Sequence, residues 1–117
     1  MTQKLISGLE PPYYTAVFTS VRPDAPEGYA DTAAALRERV AGVPGFLGYE
    51  SARTPGGIGI TVAYFRDLEA LDAWRLDTVH AAAKKYGREH WYEAYSVHIG
   101  KVERSYDFER SHGLERE

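Results

Sequence analysis

Residues 46–65 read FLGYESARTPGGIGITVAYF, and the way this stretch folds decides the architecture. Two runs rich in β-branched and aromatic residues, FLGYESART (46–54) and IGITVAYF (58–65), flank Thr54-Pro55-Gly56-Gly57. Proline presets one turn dihedral and glycine accepts positive φ, so the pattern predicts a β-hairpin. In the second run Ile58, Ile60, Val62 and Tyr64 share one face, and Gly59, Thr61, Ala63 and Phe65 the other. The second face is mostly small. It either lets a helix approach closely or leaves room for a ligand.

Outward from the hairpin, each flank reads as a helix and then a strand. Upstream, Tyr29, Ala33, Leu36 and Val40 recur at helical spacing. Asp24-Ala25-Pro26-Glu27 reads as the start of that helix, with Asp24 as cap, Pro26 in the first turn and Glu27 at the capping-box position. Gly42 and Pro44-Gly45 close it. Before it, YYTAVFTSV (13–21) suits a strand between Pro11-Pro12 and Pro23. Downstream, Asp67 caps a second helix whose expected apolar face is Leu68, Leu71, Val79, Ala82, Ala83 and Tyr86, with Gly87 as terminator. WYEAYSVHIGKVERSYDF (91–108) then reads as one final strand, well beyond the usual ~5–6 residues and long enough to reach a second chain.

The order βαββαβ is ferredoxin-like: an α+β domain with a four-stranded antiparallel sheet and both helices on one face. The other face would be bare in a monomer. Packing two such sheets face to face gives a dimeric α/β barrel, so a homodimer is expected. The chain divides into an N-terminal arm (1–12), the folded domain (13–108) and a charged, aperiodic tail (109–117) expected to fray.

Bulk composition narrows the chemistry. At 117 residues the chain is one domain. Its 14 basic and 17 acidic residues are mixed along the chain, so no basic block points to nucleic acid. The absence of cysteine removes disulfides, zinc–thiolate sites, iron–sulfur clusters and a thiol nucleophile, and fits a cytoplasmic protein. Residues 1–12 lack the apolar run of a signal peptide, and no stretch approaches the ~20 apolar residues of a membrane span. PGGIG (55–59) lies inside the hairpin rather than before a helix, so it is not a phosphate loop. No HExxH, acidic metal cluster or GxSxG is present.

The chemistry-bearing residues crowd between Trp74 and Tyr95. On an unbroken helix Trp74 and His80 lie about 120° apart and share no face. Asp77, three residues before His80, has the spacing of a second N-cap. A break at Leu76–Thr78 would turn indole and imidazole toward one cavity; without it Trp74 is core and His80 half-exposed. Arg88 near a helix C-terminus is either a cap for the helix dipole or a clamp for an anionic oxygen. Trp91 and Tyr92, read as consecutive strand residues, would face opposite ways, so at most one reaches a pocket. His90 marks the helix–strand junction, His98 reads as a packed strand histidine, and His112 lies in the tail.

PPYYTAVFTSV, PGFLGYESAR, GIGITVAYF, the W-x5-H of Trp74 to His80, GREHWYEAY and KVERSYDF occur in that order over residues 11–108. Together they resemble the antibiotic biosynthesis monooxygenase family, and within it the small stand-alone bacterial members. The resemblance implies a dimeric ferredoxin-like barrel with a pocket between helices and sheet in each subunit. It also implies cofactor-independent oxidation of a small aromatic or quinol-type ligand. In that reading His80 takes a proton, Trp74 walls the ring, and Arg88 or Tyr92 holds the oxygen anion. A haem-degrading branch of the same superfold resembles an Asn–Trp–His trio. This chain has no asparagine, and Thr19 or Ser20 stands at the corresponding strand position. Haem bound through His80 and a non-catalytic ligand-binding dimer are the alternatives.

Overall fold

The computed structural model describes residues 5–23, 26–111 and 114–116. β1 (Tyr13–Val21), β2 (Phe46–Arg53), β3 (Ile58–Phe65) and β4 (Ala94–Val102) form one antiparallel sheet in the order β2-β3-β1-β4. α1 (Tyr29–Val40), α2 (Leu68–Arg75) and α3 (Thr78–His90) complete a ferredoxin-like α+β fold. The hairpin closes as its turn residues dictate, with Thr54 N–H bonded to Ile58 O and Arg53 opposite Gly59. The helix-facing side carries Ala16, Phe18 and Ser20 of β1 against Ala63, Thr61 and Gly59 of β3.

The core is small: Val40, Phe65, Ala70 and Leu71, with Tyr14, Ala16, Phe46, Ala63 and Trp74 packed around them. It sits under α2, whose start is fixed by Asp67 Oδ1 accepting from Ala70 N–H at 2.8 Å. Gly45 allows that approach, because it holds φ at +93° and a Cβ there would lie 2.7 Å from the Ala70 Cβ.

Several expectations change. α1 begins at Tyr29 after a turn at Pro26–Gly28, and its N-cap is Gly28 at φ 82° with no side-chain cap bond. Glu27 instead uses its carbonyl to accept from the Trp91 indole at 3.1 Å. Asp24, the expected cap, lies outside the described residues, as does His112. The second helix is two helices, and the break resets the helical phase. Val79, Ala82 and Tyr86 are therefore exposed, while His80, Ala83, Lys84 and Gly87 turn inward; Leu68, at the first turn of α2, is exposed as well. Gly87 does not end α3 but lies buried within it. The last strand is nine residues, Ala94–Val102, because α3 runs on to His90 and residues 103–108 form no ladder. Residues expected to fray instead pair, β5 (Glu109–Ser111) with β6 (Leu114–Arg116).

Candidate functional site

A cavity of about 610 Å³ opens between the sheet and the helices. Its floor includes the small face anticipated from the hairpin, Gly59, Thr61, Ala63 and Phe65, with Ala16 and Phe18 of β1 beside it. Tyr29, Ala33 and Leu36 of α1 form one wall, and Trp74, His80 and Ala83 another. The size suits a fused-ring molecule rather than a metabolite of a few atoms.

The break between α2 and α3 builds the first half of the site. α2 ends at Arg75, Leu76 leaves helical geometry, and Asp77 restarts the helix by accepting from His80 N–H at 2.9 Å. Arg39 of α1 grips the same carboxylate, its Nε at 2.8 and 3.0 Å from the two oxygens. That hydrogen bond, with the one from His80, holds the Asp77 carboxyl below the usual carboxylate range. The result places the imidazole of His80 flat on the indole of Trp74, with ring centroids 4.1 Å apart and planes 11° apart.

The His80 tautomer follows from its neighbour. Nδ1 lies 3.0 Å from the Trp74 carbonyl, which only accepts, so Nδ1–H donates and the Nε2 lone pair is free. Burial pushes the His80 pKa down from 6.5, against the opposing pull of that hydrogen bond. The side chain is a neutral base at physiological pH. The stack also covers one face of Trp74, so the indole presents only its edge and remaining face to a ligand.

An aromatic cluster closes the other end. Tyr92 packs edge-on to Phe18 at 5.5 Å, Tyr95 at 5.7 Å and Tyr29 at 6.2 Å. Burial and a shared hydrogen bond with Tyr29 push its phenol pKa up, so it stays protonated and able to donate. Trp91 and Tyr92 both line the cavity, against the expectation that only one could. They are not strand neighbours: Trp91 caps α3, both N–H groups bond to Gly87 O, and strand alternation never applies.

Arg88 is exposed and does not line the cavity; its Nη1 donates to the Tyr95 hydroxyl at 3.0 Å, one side chain removed. His90 is exposed against Tyr86, and His98 is exposed on the far side of the sheet. Among the described residues no three His, Asp or Glu side chains converge on a metal position. No described helix is long and apolar enough to cross a membrane. Sequence reasoning missed Arg22, Arg53, Tyr29 and Ser20 as lining residues. For Arg53 the hairpin gives only its place opposite Gly59, not its burial against Ser20.

Comparison with known proteins agrees with this geometry. The sequence profile of the antibiotic biosynthesis monooxygenase family matches residues 12–86. The uncharacterized protein YqjZ of Bacillus subtilis (strain 168) is 45% identical over 102 residues, 87% of this chain and 90% of YqjZ. A jasmonate monooxygenase of Pyricularia oryzae is 31% identical over 87 residues, 72% of this chain but 40% of that protein. SnoaB, a cofactor-independent oxygenase from Streptomyces nogalater, shares the fold at a TM-score of 0.68 and 14% identity, over 81% of this chain and 97% of its own. The chain belongs to the antibiotic biosynthesis monooxygenase family.

Proposed function

We propose that the protein is a cofactor-independent monooxygenase of a small aromatic, quinol-type substrate. The observation that carries this reading is His80: a neutral imidazole, locked on Trp74 and lining the cavity, with no hydrogen-bond partner for Nε2 among the described residues. Such a base can deprotonate a phenol or the acidic C–H of its keto tautomer. The resulting carbanion or phenolate passes one electron to O2, the two radicals join as a C–O–O bond, and the peroxide loses water. One oxygen atom stays as a carbonyl, and the other leaves as water with the two hydrogens of the keto-form carbon. The side chains have only to take the proton, orient the rings and exclude solvent.

Trp74 and Phe18 wall the rings, and Tyr92 donates to the developing oxygen anion. Arg88 acts through Tyr95. SnoaB and the jasmonate enzyme support an oxygenase by name, while YqjZ brings no activity to compare. The expected result is catalysed oxygen uptake with members of a panel of quinols, anthrones and polyphenols, giving a product one oxygen atom heavier and two hydrogens lighter. No uptake above background across the panel sinks the proposal. Haemin titration tests the competing occupant, which would take His80 Nε2 as iron ligand. A Soret band lost in His80→Ala would favour haem, and a featureless titration removes it.

We also propose a homodimer formed through the sheet face away from the helices. On that face Ile58 and Ile60 stay 53% and 45% exposed, an apolar surface beside a small core. Light scattering should give twice the 13.1 kDa chain mass at micromolar concentration. A monomer there overturns the dimer.

A further inference from the structure

We propose that the cavity takes an aromatic carboxylate, with Arg22 and Arg53 as its anion-binding pair. The inference deepens the oxygenase reading and rests on it for treating this cavity as the substrate site.

Charge distribution is the first argument. The chain is acidic, at −3. The cavity is the reverse: its charged lining is Arg22, Arg37, Arg53, Arg75 and Lys84, with no aspartate or glutamate among the described residues. Arg75 of that lining already pairs with Asp72, and outside it Arg39 pairs with Asp77. Neither Arg22 nor Arg53 has a carboxylate within salt-bridge distance among the described residues.

Both guanidinium groups are nevertheless built in. Arg53 ends β2, on the same rung as Gly59 and Ser20. Its Nη1 donates to Gly57 O at 2.8 Å and its Nη2 to the buried Ser20 Oγ at 2.6 Å. Gly59 supplies the slot, since a Cβ there would collide with the guanidinium. Arg22 leaves the end of β1 on the same face and lies over Tyr29, its guanidinium carbon 3.8 Å from the ring centroid. One of its nitrogens donates to Pro23 O, but its Nε is buried without a hydrogen-bond partner among the described residues. Both arginines line the same cavity as Tyr92, at the end where β1 and β2 carry them.

A half-buried guanidinium with an unspent N–H and no counter-ion is held at a free-energy cost. A ligand carboxylate lowers that cost by supplying the missing counter-charge and accepting from guanidinium N–H groups that face the cavity, a charge-assisted contact. The rung of Ser20 lies four residues along β1 from that of Ala16, or about 13 Å. Trp74 packs against the core at the Ala16 end. A fused-ring body with its carboxylate on the arginines therefore reaches toward His80.

The test is anaerobic, so that binding is read apart from oxygen chemistry. Calorimetric titration with naphthoate, its neutral analogue naphthalenemethanol and naphthyl phosphate is compared in wild type, Arg22→Gln, Arg53→Gln and Arg22→Lys. Naphthoate should bind wild type about 10–100-fold more tightly than the alcohol. Each glutamine variant should erase most of that preference, and Arg22→Lys should retain part of it. Unchanged near-ultraviolet circular dichroism certifies the fold; if Arg53→Gln fails that check, the Arg22 variants decide. Equal affinity for acid and alcohol overturns the proposal, as does tighter binding of the phosphate. Naphthoate selectivity without oxygen uptake from any hydroxylated analogue would sink the oxygenase and leave the anion site standing.

Discussion

His80→Gln is expected to slow oxygen uptake by about 10²–10⁴-fold, the usual contribution of a positioned general base. The loss should fall on kcat more than on KM, because glutamine keeps a polar side chain but supplies no basic nitrogen. The pH dependence gives a sharper reading. Burial lowers the His80 pKa below 6.5, so the neutral base persists into mildly acidic solution. Wild-type activity should fall only as pH drops through that lowered value, placing the acid limb below 6.5. Stability should follow the same sign. Below 6.5 the unfolded imidazole takes a proton that the folded one refuses, so the fold loses stability as pH falls. The loss levels off below the folded pKa. Glutamine should abolish both the acid limb and this slope. Trp74 offers a substrate-free check, because an imidazolium stacked at 4.1 Å quenches indole fluorescence. A variant that keeps the acid limb, or slows by less than about tenfold, would remove His80 from the base role.

The sheet was legible because period-two alternation and turn chemistry are local. The residues between Phe46 and Phe65 carry their own pairing instructions, and Arg53 opposite Gly59 follows from the turn. The helix break at Asp77 stood only as one of two alternatives, because the cap's three-residue spacing is local but does not by itself exclude an unbroken helix. What failed was phase. Treating residues 68–86 as one helix carried the apolar stripe of α2 across the break, so Val79, Ala82 and Tyr86 were assigned to a core they do not enter. Trp91 and Tyr92 failed similarly, because strand alternation was applied to residues that belong to a helix end.

The arginines were hidden for another reason. Arg22 beside Pro23, and Arg53 beside a turn, look like ordinary solvated cations in sequence. Their burial depends on long-range facts: Ser20 on the adjacent strand, Tyr29 at the start of α1, and an acid-free lining. An absence of carboxylates around a point in space has no signature along a chain. The cavity's aromatic content, by contrast, was visible from composition, with 13% aromatic residues in a chain with one methionine.

Gly87→Ala is the second large effect, and its sign is opposite to the local rule. Inside a helix, alanine is favoured over glycine by roughly 1 kcal/mol. At this buried position an added Cβ would lie 2.6 and 2.9 Å from two carbons of the Tyr92 ring. The ring cannot swing aside. Phe18, Tyr29 and Tyr95 pack against it, and its own backbone N–H is bonded to Gly87 O at 2.8 Å. Overpacking of this kind costs about 1–3 kcal/mol, which exceeds the helix gain over most of its range. We expect a net destabilisation of up to ~2 kcal/mol by urea denaturation, with altered near-ultraviolet circular dichroism as the aromatic cluster shifts. Removing the obstacle should reverse the sign. In a Tyr92→Ala background, Gly87→Ala should be neutral or stabilising, so the double-mutant cycle isolates the clash. Tyr92→Phe should not relieve it, because the ring remains. If Gly87→Ala stabilises the otherwise wild-type chain, Tyr92 is free to move, and the rigid aromatic end of the cavity loses its physical basis.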